Sequence, residues 1–170
     1  MGNLEVTPRL VGSLGEVYYK EYCEQFGGWA YVSLEQIHKN GFKGEYLEFK
    51  LGFQRFQIRI PKGIKNEIIE ITQPYYIQDN NPSYVFDFLA CRLCDGEEIL
   101  SELNNKGSRD FRWIEVKTFG GRVSKNQLDT ANRVSIPVAF CVVYKVKEIP
   151  YNVEVQFYYD YLPSHLLEEN

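Results

Sequence analysis

Residues 111–119 read FRWIEVKTF, and the run at 84–93 that precedes them reads YVFDFLACRL. Both have the apolar, β-branched and aromatic texture of strands, and the near-continuous apolarity of the second predicts burial on both faces of a sheet. A strand's side chains alternate, so Glu115 and Lys117 share one face while Ile114 and Val116 take the other. Asp87 stands between Phe86 and Phe88. An ionised carboxylate in such surroundings is costly unless something pairs with it. If the two strands are neighbours, Asp87 and Glu115 converge, and their mutual repulsion is relieved either by a divalent cation or by the Lys117 ammonium. Mg²⁺ takes a few hard oxygens at about 2.0–2.1 Å. The Val116 carbonyl offers a further oxygen, and Lys117 beside it would hold a water or neutralise an oxyanion. A buried acid–lysine ion pair without metal accounts for the same triplet, and from these residues alone both readings stand.

Moving outward, Thr7-Pro8 predicts a helix start, the spacing Leu10, Leu14, Val17, Tyr18, Tyr22 continues it, and Gly27-Gly28 ends it. Gly12 and Gly15 are costly inside a helix and predict close approach to another backbone. Ser33 predicts the cap of a short helix at 34–39. The stretch 45–72 reads as a hairpin or small meander, EYLEFKLGFQRFQIRI, interrupted at Pro61-Lys62-Gly63 and resumed by NEIIEIT. Residues 80–82 predict a turn and 95–110 a polar loop with a helical turn at 97–103. Gly120-Gly121 predicts another turn, Ser124 the cap of a helix to Arg133, 136–146 a third buried strand, and 151–162 an edge strand. The expected class is α/β in a single domain over 1–170, with an insertion at about 30–80.

Composition excludes several classes. Of 170 residues 44% are hydrophobic and 25% charged, and no apolar run approaches the ~20 residues of a membrane span. No signal-peptide layout opens the chain, so a cytoplasmic protein with no membrane partner is expected. Two histidines leave no material for a histidine-based triad or metal cluster. Cys91-Arg92-Leu93-Cys94 is a lone pair without a second element, so free thiols are expected rather than zinc or redox chemistry. The net charge of −4 is unevenly spread: 9 Lys+Arg against 4 Asp+Glu over 101–147, between two acidic stretches. Such a segment offers either a local electropositive surface or an ordinary solvated face. Arg112, Arg122 and Lys125 flank the candidate site, and Arg55 and Arg59 alternate along one face of the inserted hairpin. All five are candidate phosphate contacts, and the hairpin reads equally as a solvated amphipathic ribbon.

An aspartate strand at Asp87, then Glu115-Val116-Lys117, then a helix capped by Ser124 and a buried strand resembles the PD-(D/E)xK nuclease superfamily. The likeness is to the branch of archaeal Holliday junction resolvases and Mrr-like nuclease domains. Gly12-Ser13-Leu14-Gly15-Glu16 resembles that branch's glycine-rich first helix and its glutamate, and Ile114–Thr118 its IEVKT strand; Gln127 matches the polar residue three positions into its following helix. The resemblance implies a restriction-endonuclease-like mixed sheet between helices and a Mg²⁺- or Mn²⁺-dependent endonuclease acting on nucleic acid, DNA by expectation. It implies Asp87, Glu115 and the Val116 carbonyl as metal ligands, with Glu16 through water, and Lys117 and Gln127 as catalytic partners. A resolvase-like enzyme implies a homodimer, for which the strand 136–146 and the C-terminal strand are candidate contacts. The chain departs from compact members by placing Asp87 71 positions after Glu16 and Phe86 where a proline is usual. A non-catalytic nucleic-acid-binding or assembly module of the same fold is the alternative.

Overall fold

The structure, a computed structural model, describes residues 2, 7–93, 107–145 and 153–168. Cys94, the expected helical turn at 97–103, Val146 and the first residues of the expected edge strand lie outside the described residues. The described chain is mixed α/β: a seven-stranded sheet with helices on both faces, and a separate two-stranded ribbon.

Helix α1 (Pro8–Phe26) begins where the Thr7 hydroxyl accepts from Leu10 N at 3.2 Å. It stops at Gly27, whose φ of 67° is easy for glycine and whose N–H reaches the Cys23 carbonyl. Strand β1 (Trp29–Ser33) runs directly into α2 (Leu34–Asn40), with Ser33 Oγ capping Gln36 N at 3.1 Å. The inserted hairpin is β2 (Tyr46–Leu51) and β3 (Gln54–Arg59). Next come α3 (Lys62–Ile71), the ribbon β4 (Tyr76–Gln78) and β5 (Asn81–Ser83), β6 (Phe88–Arg92) and β7 (Phe111–Thr118). The chain then forms α4 (Lys125–Arg133), β8 (Val138–Lys145) and β9 (Val153–Tyr158).

The sheet order is β3-β2-β1-β6-β7-β8-β9, antiparallel except where β7 and β8 run parallel. The one parallel pair needs a crossover, which α4 supplies. β7 shows the alternation in full. Phe111 and Trp113 join the larger core, beneath α2, α3 and α4, while Ile114 and Val116 face α1 with Tyr19, Cys23 and Phe88.

Four expectations change. NEIIEIT does not resume a strand but lies in α3, because Ile64, Ile68 and Ile71 repeat at helical spacing and together reach the core, leaving Ile69 outside. Trp29–Ser33, which carries no alternation long enough to read, is the strand that joins the hairpin to the rest of the sheet. Tyr84 to Asp87 precede β6 rather than belonging to it, so Asp87 sits at the strand's opening. Finally, β8 is hydrogen-bonded on both edges and buried from Val138 to Val143, so it cannot present an edge to a second copy. Among the described residues β9, at the sheet margin, pairs with β8 alone.

The insertion is tied to the rest of the chain. Its strands extend the same sheet, and Glu67 of α3 accepts from Ser135 N, Ser135 Oγ and Ile136 N at 2.6–3.0 Å, holding the turn between α4 and β8.

Of the two helix glycines only Gly15 is required by packing. A methyl there would lie 2.8 Å from Thr118 Cγ2 and 3.1 Å from Val116 Cγ1, whereas one at Gly12 meets nothing within 4 Å. Gly15→Ala is therefore expected to cost about 1–3 kcal/mol by overpacking, and Gly12→Ala to add about 0.4–1 kcal/mol. Urea unfolding of the two variants checks this; equal effects at both positions would show that α1 does not rest on β7 as described.

Candidate active site

The site is assembled where β6 begins beside the middle of β7. The antiparallel register sets Phe88 opposite Ile114, so one step further Asp87 stands beside Glu115. Two backbone bonds fix Asp87 there: its N–H donates to Ile114 O at 2.9 Å, and its carbonyl accepts from Leu34 N at 3.2 Å. The side chain is fixed as well, because Val116 N–H donates to Asp87 Oδ2 at 2.8 Å. A strand residue directs its N–H and C=O to the same flank, so the Val116 carbonyl is on the Asp87 side too.

Glu115 is only 7% exposed and pairs with Lys117, Oε1 to Nζ 3.1 Å, two positions along the same face. Gln127 on α4 completes the surround. Its Oε1 accepts from Ser124 N, its N–H donates to Ser124 Oγ, and its Nε2 donates to Val85 O at 3.1 Å and makes a side-chain bond to Glu115. The capping box thus orients an amide that also bonds the Glu115 carboxylate. Glu16 reaches Asp87 from α1 through a side-chain hydrogen bond.

Charge is out of balance in this cluster. Burial, and next the Glu115 charge, push the Asp87 carboxyl well above the usual carboxylate range, against the Val116 amide and Lys117, which pull it back. Burial raises Glu115 also, opposed by Lys117, Gln127 and Asp87. Glu16 is raised by burial and then by Asp87, with Lys20 opposing. Among the described residues the linked carboxyl groups Glu16–Asp87–Glu115 meet one ammonium at ion-pair distance, that of Lys117. That is the donor chemistry a hard divalent cation requires: Asp87, Glu115 and the Val116 carbonyl for direct oxygens, and Glu16 for a water. Among the described residues no group of three His, Cys, Asp or Glu side chains is gathered as a ready-made metal cage, so the direct protein donors would be two carboxylates and a carbonyl.

The structure brings together Glu16, Asp87, Glu115, Lys117 and Gln127, and separates the basic candidates. Arg112 lies on the opposite face of β7 with Ile114, as alternation demands, and does not flank the carboxylates. Arg55 and Arg59 are on β3 at the far margin of the sheet, each held by a hairpin acid, Glu48 at 3.4 Å and Glu45 at 2.9 Å. That pairing matches the solvated-ribbon reading. Arg122 and Lys125 are exposed in the turn and first helical position after β7. The turn is tight, with Phe119 and Gly120 at φ 46° and 93°.

Three residues at the margin have no part in the sequence reading. Lys20, one turn beyond Glu16, acts on its charge and lies 5.7 Å from the Phe88 ring; the Glu16–Lys20 spacing is the signal that could have revealed it. Glu35 at the start of α2 adds negative charge near Glu16, and Tyr84 feels Glu35 and Lys39 in turn. Nothing in the local sequence announces these two, because α2 is brought in by the Leu34–Asp87 bond.

Comparison with known proteins found no match to any family model, curated protein or solved structure.

A carboxyl whose folded-state pKa is raised stabilises the fold most below its unfolded pKa, and that contribution is lost as pH rises through the folded value. Chelator-treated protein is therefore expected to lose melting temperature as pH climbs from about 4 toward neutrality. Asp87→Asn, which keeps an acceptor for Val116 N–H without the charge, is expected to flatten that decline and to melt higher than the wild type near neutral pH. Parallel pH–melting curves check it; an unchanged slope in the variant would remove Asp87 as the strained group.

Proposed function

We propose that the chain is a divalent-metal-dependent nuclease with a restriction-endonuclease-like core, hydrolysing phosphodiester bonds in DNA. The observation that carries this reading is the meeting of Asp87, Glu115 and Lys117 on one face at the opening of β6, with two buried carboxylates in excess of the local positive charge. The cation it calls for is Mg²⁺ or Mn²⁺, which when bound would polarise a phosphoryl oxygen and lower the pKa of its water.

The chain's own residues divide the remaining work. Asp87 is held by the Val116 amide, so its carboxyl is presented to the cluster without a rotamer search. Glu115 is braced by Gln127 and by Lys117. The Lys117 ammonium, 14% exposed, reaches the same space and would hold the attacking water or stabilise charge on the phosphate. Glu16, approaching through Asp87, is a positioning residue. For a homodimer the candidate surface is the margin strand β9, which among the described residues pairs with β8 alone.

The test is a cleavage assay on duplex, single-stranded, flap and four-way DNA, with and without Mg²⁺. Asp87→Asn, Glu115→Gln and Lys117→Met are each expected to lower the rate on the order of 100-fold or more with the circular dichroism spectrum preserved. Mn²⁺ is expected to raise the melting temperature of the wild type and not of the Asp87→Asn and Glu115→Gln double variant. Wild-type rates in folded single variants would overturn the assignment. Metal and DNA binding without cleavage of any substrate would favour a non-catalytic binding module.

A further inference from the structure

Arg112 has a second setting of its own. Its guanidinium carbon lies 3.9 Å from the centroid of Trp29 and 4.9 Å from that of Tyr159, and Nη1 donates to the Tyr159 hydroxyl at 2.5 Å. It lines a cavity of about 270 Å³ between the C-terminal half of α1, β7 and β9, together with Tyr19, Tyr22, Ile114 and Phe157. Tyr22 and Phe157 are in ring contact there, centroids 5.2 Å apart.

A guanidinium has five N–H donors and wants a carboxylate or phosphate to receive them in pairs. Arg55, Arg59, Arg92 and Arg133 each meet a carboxylate at 2.6–3.4 Å. Arg112 is half-buried and, among the described residues, meets only aromatic rings and one phenol. Ring faces relieve a cation in part, but they leave most of its N–H groups without acceptors. The cavity is large enough for one ring system with an acidic head and too small for a folded or extended peptide.

We propose that this cavity binds a small anion bearing an aromatic ring, the ring among Tyr22, Phe157 and Trp29 and the carboxylate or phosphate on Arg112. The site is on the opposite face of the sheet from Asp87, Glu115 and Lys117, and it stands whether or not the chain is a nuclease. An aryl carboxylate and a mononucleotide carry the same recognition chemistry, and the two are separated by the choice of probe.

The experiment titrates the full chain with benzoate, adenosine 5′-monophosphate and uncharged benzyl alcohol, read by calorimetry. One anion or both are expected to saturate a single site, with benzyl alcohol weaker by about tenfold or more. Arg112→Met, which keeps the stem, is expected to weaken the anion by a similar factor and to leave benzyl alcohol unchanged. Should Arg112→Met fail to fold, Tyr159→Leu at the exposed ring serves instead and is expected to weaken the anion several-fold. Benzoate alone identifies an aryl carboxylate site and the nucleotide alone a mononucleotide site. The proposal falls if neither anion saturates at millimolar concentration, if benzyl alcohol binds as well as the anions, or if the substituted protein binds them as tightly as the wild type.

Discussion

The hydrogen bond from Val116 N–H to Asp87 Oδ2, at 2.8 Å, forces two buried carboxyl groups to share one place. It closes the opening of β6 onto β7 and prevents Asp87 from turning away from Glu115. Left to electrostatics alone, the two carboxylates would separate. The backbone does not allow it, because Asp87 is also held by Ile114 O and Leu34 N. Stability is thereby given up locally for a fixed cluster of hard oxygens, with Lys117 offsetting only part of the charge. Such strain is sustained by the surrounding structure, here the packed sheet with α1 on one face and α2 to α4 on the other.

How much of this was legible depended on the range of the interaction concerned. The alternation in 111–118 is strictly local, so the shared face of Glu115 and Lys117 could be read directly, as could the caps at Thr7, Ser33 and Ser124. The same rule, applied to Arg112, already placed it on the other face; grouping it with the site by proximity in sequence ignored the period of two. Residues 62–71 misled because isoleucine is β-favouring and the helical repeat of Ile64, Ile68 and Ile71 spans barely two turns. Trp29–Ser33 was illegible because a five-residue buried strand lacks a repeat of its own and is defined by its neighbours. Glu35 and Tyr84 belong to the site's surroundings only through tertiary packing.

The inserted segment does more than lengthen the sheet. Glu67 of α3 takes three donors from Ser135 and Ile136, at the turn that delivers β8 beside β7, and Glu70 pairs with Arg133 at 2.8 Å. The parallel partner of the candidate catalytic strand is thus steadied by residues from the insertion. Its two arginines, by contrast, are spoken for: Arg55 and Arg59 each have a hairpin acid beside them.

The seat of Gly15 against Thr118 has a temporal side. The Thr118 hydroxyl donates to the Val11 carbonyl across 107 residues of chain, so α1 emerges during synthesis long before the strand it rests on. Contacts of that span are entropically late and slow the approach to the native state. Tyr31 of β1 and Phe88 of β6 meet Tyr19 on the apolar flank of α1, but until β7 joins them that flank is only partly covered and open to wrong associations. Because Glu16 is carried on the same helix, the acidic cluster is complete only once that docking has taken place.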